Sequence, residues 1–225
     1  MCEPMRKQGY GWTMILLTGF EPFGGESTNP SWDAAQEAVG LLREAGYDAT
    51  AVEVPCEFGR SVDALRSAVD EVQPDIVLCV GQAGGREHVS LERVAINVDD
   101  ARIPDNAGKQ PIDEPIVADG PAAYFSTLPI KACREAVEQQ GVPVEVSQTA
   151  GTYVCNHIFY GLMRLLENLD GVRGGFVHVP FSPDQAVEHG APGLSIGSMA
   201  RALATVATTT AITGRDARIT GGAEH

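Results

Sequence analysis

The chain contains 225 residues, 44% of them hydrophobic, and it has a formal net charge of −14. This length is enough for one large α/β domain with a sizeable core. The acidic excess argues against nucleic acid and against an anionic membrane surface as partners, because both are bound through clustered Lys and Arg.

The first third of the chain alternates predicted strands and helices. An apolar strand at 14–18 is followed by a loop rich in Gly and Pro at 19–25. Ser31 is the predicted N-cap of a helix that runs to Leu42. The pattern then predicts a strand at 51–54, a helix at 61–72 and a strand at 75–80, the last a continuous apolar run typical of a buried parallel strand.

The segment 81–120 is less regular, and residues 89–98 are predicted to form an extended hairpin arm. Alternation then resumes with a helix at 130–140, a strand at 142–146, a helix from Cys155 to about 169 and a strand at 175–180. Ser195 is the predicted N-cap of a last helix at 196–211. This order predicts an α/β fold, a three-layer αβα sandwich with a mainly parallel, twisted central sheet.

Residues 14–225 are assigned to one domain, because no linker, composition break or internal repeat divides them. Residues 1–13 show no periodicity and are predicted to be a disordered amino-terminal extension. No apolar run approaches the ~20 residues that cross a bilayer, and no signal peptide is recognisable. We therefore expect a cytoplasmic protein.

The five cysteines are far apart and form no C-x-x-C pair, which argues against a zinc ribbon or a thioredoxin-type site. Cys79 lies within an apolar run and Cys133 within a predicted helix, so both are expected to fill space in the core. Reduced thiols in a reducing compartment fit this pattern best.

Cys155 lies where a predicted strand gives way to a helix. The first turn of a helix presents unpaired N–H groups and a partial positive charge. Both favour the thiolate, which is the nucleophilic form of cysteine. Cys155 is therefore a candidate nucleophile, and the alternative is an inert buried thiol.

His178 ends a later apolar strand and is a candidate base for that nucleophile; the alternative is a core histidine with satisfied hydrogen bonds. The carboxyl ends of parallel strands meet at one edge of the sheet, where ligands bind. Cys155, His178 and the loop 20–25 are therefore expected to share one site. The spacing alone does not prove that they meet.

A third group must orient the imidazole, and the pattern does not choose among the candidates by type, which are Glu92, Asp99, Asp100, Asp105 and Asp113. Phe20 and Phe23 either pack in the core or form the walls of an apolar pocket. A metal site formed by His157 and His178 is disfavoured, because Cys155 and His157 lie on different faces of the helix. We expect no metal.

Two other functions remain open at this point. Nucleoside phosphorolysis uses the same kind of sandwich, although the loop 81–86 matches neither G-x-G-x-x-G nor a Walker loop. An acidic binding domain without catalysis is the second alternative. Protection of a reactive thiol by a ligand would separate both from a cysteine enzyme.

Several sequence blocks, in order along almost the whole chain, resemble the pyroglutamyl-peptidase I (pyrrolidone-carboxylate peptidase) family. They are 19–25 with 29–32, 81–86, 92–97, 101–106, 150–157, 174–180 and 220–225. One glycine cluster would be a weak signal, but the set is highly specific. The resemblance implies a cytosolic cysteine peptidase that removes an amino-terminal pyroglutamyl residue from peptides through a thioacyl intermediate.

The resemblance also implies roles for residues. Cys155 is the implied nucleophile, His178 the base and Glu92 the orienting carboxylate. Arg102 is a further candidate, for oxyanion support. The implied substrate pocket consists of Phe20, Phe23, Gln82, Ile103, Tyr153 and Val154. Neither metal nor organic cofactor is implied, and the partners are pyroglutamyl peptides and further copies of the chain in a homotetramer. Cys56 departs from the family, which often has Thr there.

Overall fold

The computed structural model describes residues 13–223, so most of the predicted extension 1–13 and the last two residues lie outside the described residues. The strands are β1 (Met14–Phe20), β2 (Asp48–Val54), β3 (Ile76–Gln82), β4 (Val89–Glu92), β5 (Val94–Ile96), β6 (Ala123–Phe125), β7 (Val144–Ser147) and β8 (Arg173–Val179). The helices are α1 (Pro30–Glu44), α2 (Arg60–Val72), α3 (Ile130–Gln139), α4 (Val154–Leu166), α5 (Pro183–His189) and α6 (Ile196–Ile212).

The central sheet has six strands in the order β2-β1-β3-β8-β4-β7. Neighbouring strands run parallel except β4 and β8, which are antiparallel. Helices α1, α3 and α6 contribute to the core on one face, and α2 and α4 to the core on the other. The predicted three-layer sandwich with a mainly parallel sheet is confirmed.

The apolar character of β1 and β3 explains their central position. Every residue of β3 is buried, and so are all but the first of β1. A strand between two helix layers is covered on both faces and therefore carries apolar side chains on both, as is typical of parallel sheets. Cys79 and Cys133 are fully buried, as expected for residues that fill the core.

The predicted cap of α1 is wrong by two residues. Asn29 is the N-cap, and its side-chain oxygen accepts a hydrogen bond from the Ser31 backbone N–H at 3.1 Å. Pro30 begins the helix, a position that suits proline because its missing N–H would be unpaired there. The Ser31 hydroxyl instead accepts a hydrogen bond from the Phe20 backbone N–H at 3.0 Å and so fixes the end of β1.

The predicted hairpin arm at 89–98 is also wrong. Its first part, β4, inserts into the main sheet between β8 and β7, and all four of its residues are buried. Its second part, β5, leaves the sheet and pairs with β6, which the sequence pattern had not indicated. Helix α5 was not predicted either. No helix within 13–223 is both long and apolar enough to cross a membrane.

Candidate active site

A cavity of about 380 Å³ lies at the carboxyl edge of the central sheet. It is bordered by the ends of β1, β3 and β8 and by the segment that leads into α4. The predicted site residues that border it are Phe20, Phe23, Gln82, Arg102, Ile103, Tyr153, Cys155 and His178. The expectation that Cys155, His178 and the loop 20–25 lie at one sheet edge agrees with this cavity, which Cys155, His178, Phe20 and Phe23 border.

Two predicted residues do not border this cavity. Val154 is fully buried in the core on the α4 face of the sheet, so its side chain does not reach the cavity. Glu92 is also fully buried and lies beside His178. A larger cavity, of about 650 Å³, lies near Asp75 at the amino end of β3 and contains none of the predicted residues.

The first turn of α4 is fixed by the two residues that follow Cys155. Asn156 is fully buried, and its amide donates to the backbone oxygens of Ile96 and Val98 and accepts from the Ile96 N–H, all at 2.9–3.0 Å. His157 donates from Nδ1 to Asp99 at 2.7 Å and accepts at Nε2 from the Gly59 N–H at 3.0 Å. The nucleophile candidate therefore lies on a rigid helix start.

His157 and Asp99 form a pair that resembles that of His178 and Glu92, but they border a different cavity, of about 450 Å³. Both nitrogens of His157 are used by protein partners, so this ring serves to hold α4 in place. Of the other carboxylates considered, Asp105 accepts backbone N–H groups of its own loop and of Phe58. Asp100 borders the active-site cavity.

His178 is 4% exposed and donates from Nδ1 to Glu92 Oε1 at 2.7 Å. The sheet explains this contact, because β4 and β8 are neighbours and the cross-strand partner of His178 is Ser90, two residues before Glu92. The hydrogen bond fixes the tautomer and leaves Nε2 for a proton from another group. Sequence periodicity could not select Glu92, since the insertion of β4 beside β8 was not predicted.

Charge and burial set the protonation states of this pair. Burial alone would raise the pKa of Glu92, but the hydrogen bond from His178, with a smaller contribution from the charge of Arg86, holds that pKa below its ordinary value. Burial lowers the pKa of His178, and the bond from Glu92 only partly opposes this. The free protein at neutral pH therefore holds a carboxylate beside a neutral imidazole, which is the form that can accept a proton.

The expectation of a thiolate at Cys155 needs correction. Burial raises the pKa of Cys155 well above its ordinary value, and the nearby Cys56 and Glu92 add to the increase. Arg86 opposes this shift but does not reverse it. The helix start therefore does not suffice to ionise the thiol, and a base must remove its proton during attack.

Aromatic rings form one wall of the cavity. The Tyr153 ring lies 6.2 Å from that of Phe23 and 5.5 Å, edge to face, from that of Phe58. Phe20 is 2% exposed and presents only a small part of its ring. Cys56 also borders the cavity, so the departure from the family noted in the sequence lies close to Cys155.

The sequence pattern does not single out Arg86. It follows β3 in the loop 81–86, which matches no nucleotide-binding motif. Its guanidinium lies 2.7 Å from Glu92 Oε1 and also borders the cavity. A single Arg in a glycine-rich loop gives no sequence signal of this contact, because the two residues meet only through the sheet.

The fold and the cavity, with a thiol, an imidazole and a carboxylate at one sheet edge, define an α/β enzyme of the cysteine peptidase class. A family model described as pyroglutamyl peptidase matches residues 13–214. The chain is 56% identical over 216 residues to a pyrrolidone-carboxylate peptidase of Streptomyces coelicolor, covering 95% of this chain and 100% of that one. It is 52% identical over 213 residues to one of Yersinia pestis, covering 94% and 99%.

Solved structures agree with these relatives. A pyroglutamyl peptidase I of Bacillus amyloliquefaciens superposes with a TM-score of 0.90 at 46% identity, covering 93% of this chain and 100% of that one. A mutant pyrrolidone carboxyl peptidase of Pyrococcus furiosus gives a TM-score of 0.84 at 36% identity, covering 88% and 98%. The chain belongs to the pyroglutamyl peptidase family, cysteine peptidases that remove amino-terminal pyroglutamate.

Proposed function

We propose that this protein hydrolyses the amino-terminal pyroglutamyl residue from peptides with Cys155 as nucleophile, His178 as base and Glu92 as orienting carboxylate. The observation that carries the proposal is the 2.7 Å hydrogen bond from His178 Nδ1 to the buried Glu92, beside a cavity that both His178 and Cys155 border. A histidine held by a carboxylate next to a thiol is the arrangement that nucleophilic catalysis needs.

The reaction begins with the thiol protonated and the imidazole neutral. As Cys155 Sγ attacks the main-chain carbonyl carbon of the pyroglutamyl residue, His178 Nε2 takes the thiol proton. The negative charge that forms on the carbonyl oxygen is received by backbone N–H groups at the start of α4, which have no acceptor within the helix. Arg102, which borders the cavity, adds positive charge in this proposal.

Collapse of this tetrahedral species breaks the scissile C–N bond, and the imidazolium gives its proton to the leaving amine. A thioester then links Cys155 to the pyroglutamyl group. Water attacks this thioester, His178 accepts the water proton, and release of pyroglutamate returns the proton to the sulfur. Glu92 holds the Nδ1–H tautomer throughout and stabilises the imidazolium when it forms.

Substrate selection follows from the chemistry of the lactam. Pyroglutamate is neutral, with two apolar faces and one polar edge, and the Phe20, Phe23 and Tyr153 rings supply apolar walls. Gln82 is 9% exposed and supplies an amide for the polar edge. Proline lacks the lactam carbonyl and leaves such a group unpaired, which costs about 1–3 kcal/mol per buried group. A charged amino-terminal glutamate is excluded because desolvation of its charges is expensive.

The test is turnover of a pyroglutamyl fluorogenic amide, with the prolyl amide as control. Wild-type protein should cleave the first and not the second, and Cys155→Ala should cleave neither while keeping its thermal unfolding temperature. Alkylation by iodoacetamide should inactivate the enzyme, and free pyroglutamate should slow that inactivation. Normal turnover by Cys155→Ala would reject the assignment.

The resemblance to the family also supports a homotetramer in the cytoplasm. Four large apolar side chains of the described residues are exposed, Ile112 by 73%, Phe125 by 70%, Val187 by 85% and Ile212 by 79%, and such residues are often covered in oligomers. Light scattering of the purified protein tests the oligomeric state. Fractionation of the cells that make it tests the location.

A further inference from the structure

One carboxylate oxygen in the site accepts two donors. Glu92 Oε1 accepts His178 Nδ1 and Arg86 Nη1, each at 2.7 Å. The other oxygen, Oε2, is buried and has no hydrogen-bond partner among residues 13–223. Glu92 itself is fully buried. The orientation of this carboxylate, and therefore of the imidazole, depends on the two donors together.

Arg86 links this carboxylate to the segment that carries the nucleophile. Its second guanidinium nitrogen, Nη2, donates to the backbone oxygen of Thr149 at 3.2 Å. Thr149 begins the stretch that borders the cavity and leads into Cys155. The Arg86 side chain is 28% exposed. One planar group thus connects the loop after β3, the end of β4 and the approach to α4.

We propose that Arg86 is a positioning residue for the reaction. It holds Glu92 and the segment before Cys155 in fixed relative positions, and it keeps Glu92 as a carboxylate and His178 as a neutral imidazole. The proposal rests on the function proposed above for Cys155, His178 and Glu92. It assigns to Arg86 no contact with the lactam and no proton transfer.

The physical reason is the cost of a buried charge. A carboxylate in the core needs a compensating cation. Without Arg86, the buried charge of Glu92 is compensated when a proton from solvent binds His178 Nε2 and turns the ring into imidazolium. The neutral base is then lost at a pH at which the wild-type protein still holds it. Arg suits this position better than Lys, because its planar fork can reach Glu92 and Thr149 at the same time.

The electrostatics agree with this geometry. Arg86 acts to lower the pKa of His178, and it also lowers that of Cys155. The titratable and charged groups that surround the imidazole and the thiol come from several loops and strands, and they are Glu92, Arg86, Cys56, Cys79, Asp100, Arg102 and Tyr153. Of these, Arg86 is the one cation within 13–223 that is hydrogen-bonded to Glu92.

The test compares Arg86→Met and Arg86→Lys with a matched control, Arg93→Met. Arg93 follows Glu92 in the chain, but its side chain donates to Gln148 and to the Gly221 backbone oxygen. We expect Arg86→Met to lower kcat at least about tenfold, a fraction of what a positioned base supplies, with KM changed less than about threefold. The acid limb of kcat/KM should move to higher pH, because loss of the cation raises the pKa of His178.

Arg86→Lys should recover the wild-type position of the acid limb, since the charge is kept, but only part of kcat, since one of the two contacts is lost. Arg93→Met should leave both the acid limb and kcat near the wild-type values. A merely structural role for Arg86 predicts a lower unfolding temperature with an unmoved acid limb in Arg86→Met, and that result would overturn the proposal.

Two further readouts keep the test decisive. If Arg86→Met does not fold, Arg86→Lys carries the test. An acid limb in Arg86→Lys that is displaced from the wild-type position would contradict the assignment of charge. The rate of Cys155 alkylation against pH, measured without substrate, should shift in Arg86→Met in the same direction as the acid limb. If wild-type protein does not cleave the pyroglutamyl amide, the proposed function fails; if it does and the limb is unmoved, only the role of Arg86 fails.

Discussion

The backbone of Gly81 approaches Cys155 so closely that a Cβ atom at Gly81 would lie 2.7 Å from the thiol sulfur. The same atom would lie 2.7 Å from the Phe176 ring. Gly81 is the residue of β3 that pairs with His178 of β8. The close approach therefore places the Cys155 sulfur against β3, beside the strand β8 that carries His178. Position 81 requires glycine, because a side chain there would overlap the sulfur.

Gly81→Ala should consequently displace the sulfur or the ring. We expect kcat to fall at least about tenfold, because a small misplacement of reacting atoms is costly in rate, and the unfolding temperature to drop. Gly40→Ala in α1 is the control, since a Cβ there meets nothing within 4 Å and alanine favours the helix. Equal kcat values for Gly81→Ala and Gly40→Ala would mean that catalysis does not depend on the close contact between Gly81 and the Cys155 sulfur.

The two histidine–carboxylate pairs allow a matched comparison. The distance from Nδ1 to oxygen is 2.7 Å in both the His178–Glu92 and the His157–Asp99 pair. Glu92→Gln should lower kcat by about 10²-fold or more, within the range that a correctly held base contributes. Asp99→Asn should mainly lower the unfolding temperature, because His157 holds α4 and borders another cavity. A larger loss of kcat in Asp99→Asn than in Glu92→Gln would reverse the assignment.

The sequence predicted the fold because its strands and helices differ clearly in period and burial. It also placed Cys155 and His178 at the same edge, since strand order hardly affects which ends of parallel strands meet. The choice of Glu92 was different: its contact depends on β4 running antiparallel beside β8, which no local pattern encodes. Only the family resemblance singled it out in the sequence.

Other features were missed or misplaced, each for its own physical reason. Arg86 reaches the site through a contact with Thr149, in a loop that is far away in sequence. The cap of α1 was misplaced because Ser31 and Asn29 are both good caps, and only the proline between them decides. The ionisation of Cys155 was misjudged because burial, which raises its pKa, depends on the packed structure and outweighs the helix start.

Two thiols border the cavity, those of Cys155 and Cys56. Replacing each in turn by serine separates their roles. Cys155→Ser should abolish measurable hydrolysis, since a hydroxyl is a far weaker nucleophile under the same base. Cys56→Ser should change KM but keep kcat within about threefold, because its role is to border the pocket. Cys56 is buried at 3% exposure, whereas Cys155 is only partly buried and has His178 as its proposed base, so iodoacetamide should modify Cys155 first. Mass spectrometry of the alkylated peptides checks the order, and preferential labelling of Cys56 would contradict it.

Activity should depend on pH through His178. The imidazole must be neutral to accept the thiol proton, and burial lowers its pKa from the ordinary 6.5. The acid limb of kcat/KM should therefore have its midpoint below 6.5, with activity rising as pH increases. Because the pKa of Cys155 is raised above 9.0, alkylation of the free enzyme should still accelerate at about pH 9. A plateau in alkylation at neutral pH would instead indicate a thiolate–imidazolium pair at rest.

Stability should fall on both sides of a plateau for opposite reasons. The pKa of His178 is lowered by burial, so the unfolded chain binds a proton first as pH falls below 6.5, and Glu92 adds a second loss below 4.5. The buried thiols Cys79 and Cys133 have pKa values raised by burial from 9.0 to about 12. Above pH 9.0 they ionise only in the unfolded chain, and stability is lost as pH rises toward 12. Urea midpoints at about pH 5, 7.5 and 10 in reducing buffer test both limbs.

Cys133→Ala should be less stable than wild type near neutral pH, because it leaves a small cavity. Its further loss between neutral pH and the most alkaline sample should be smaller than that of wild type, and an equal or larger loss would exclude the Cys133 thiol as a cause of the alkaline limb.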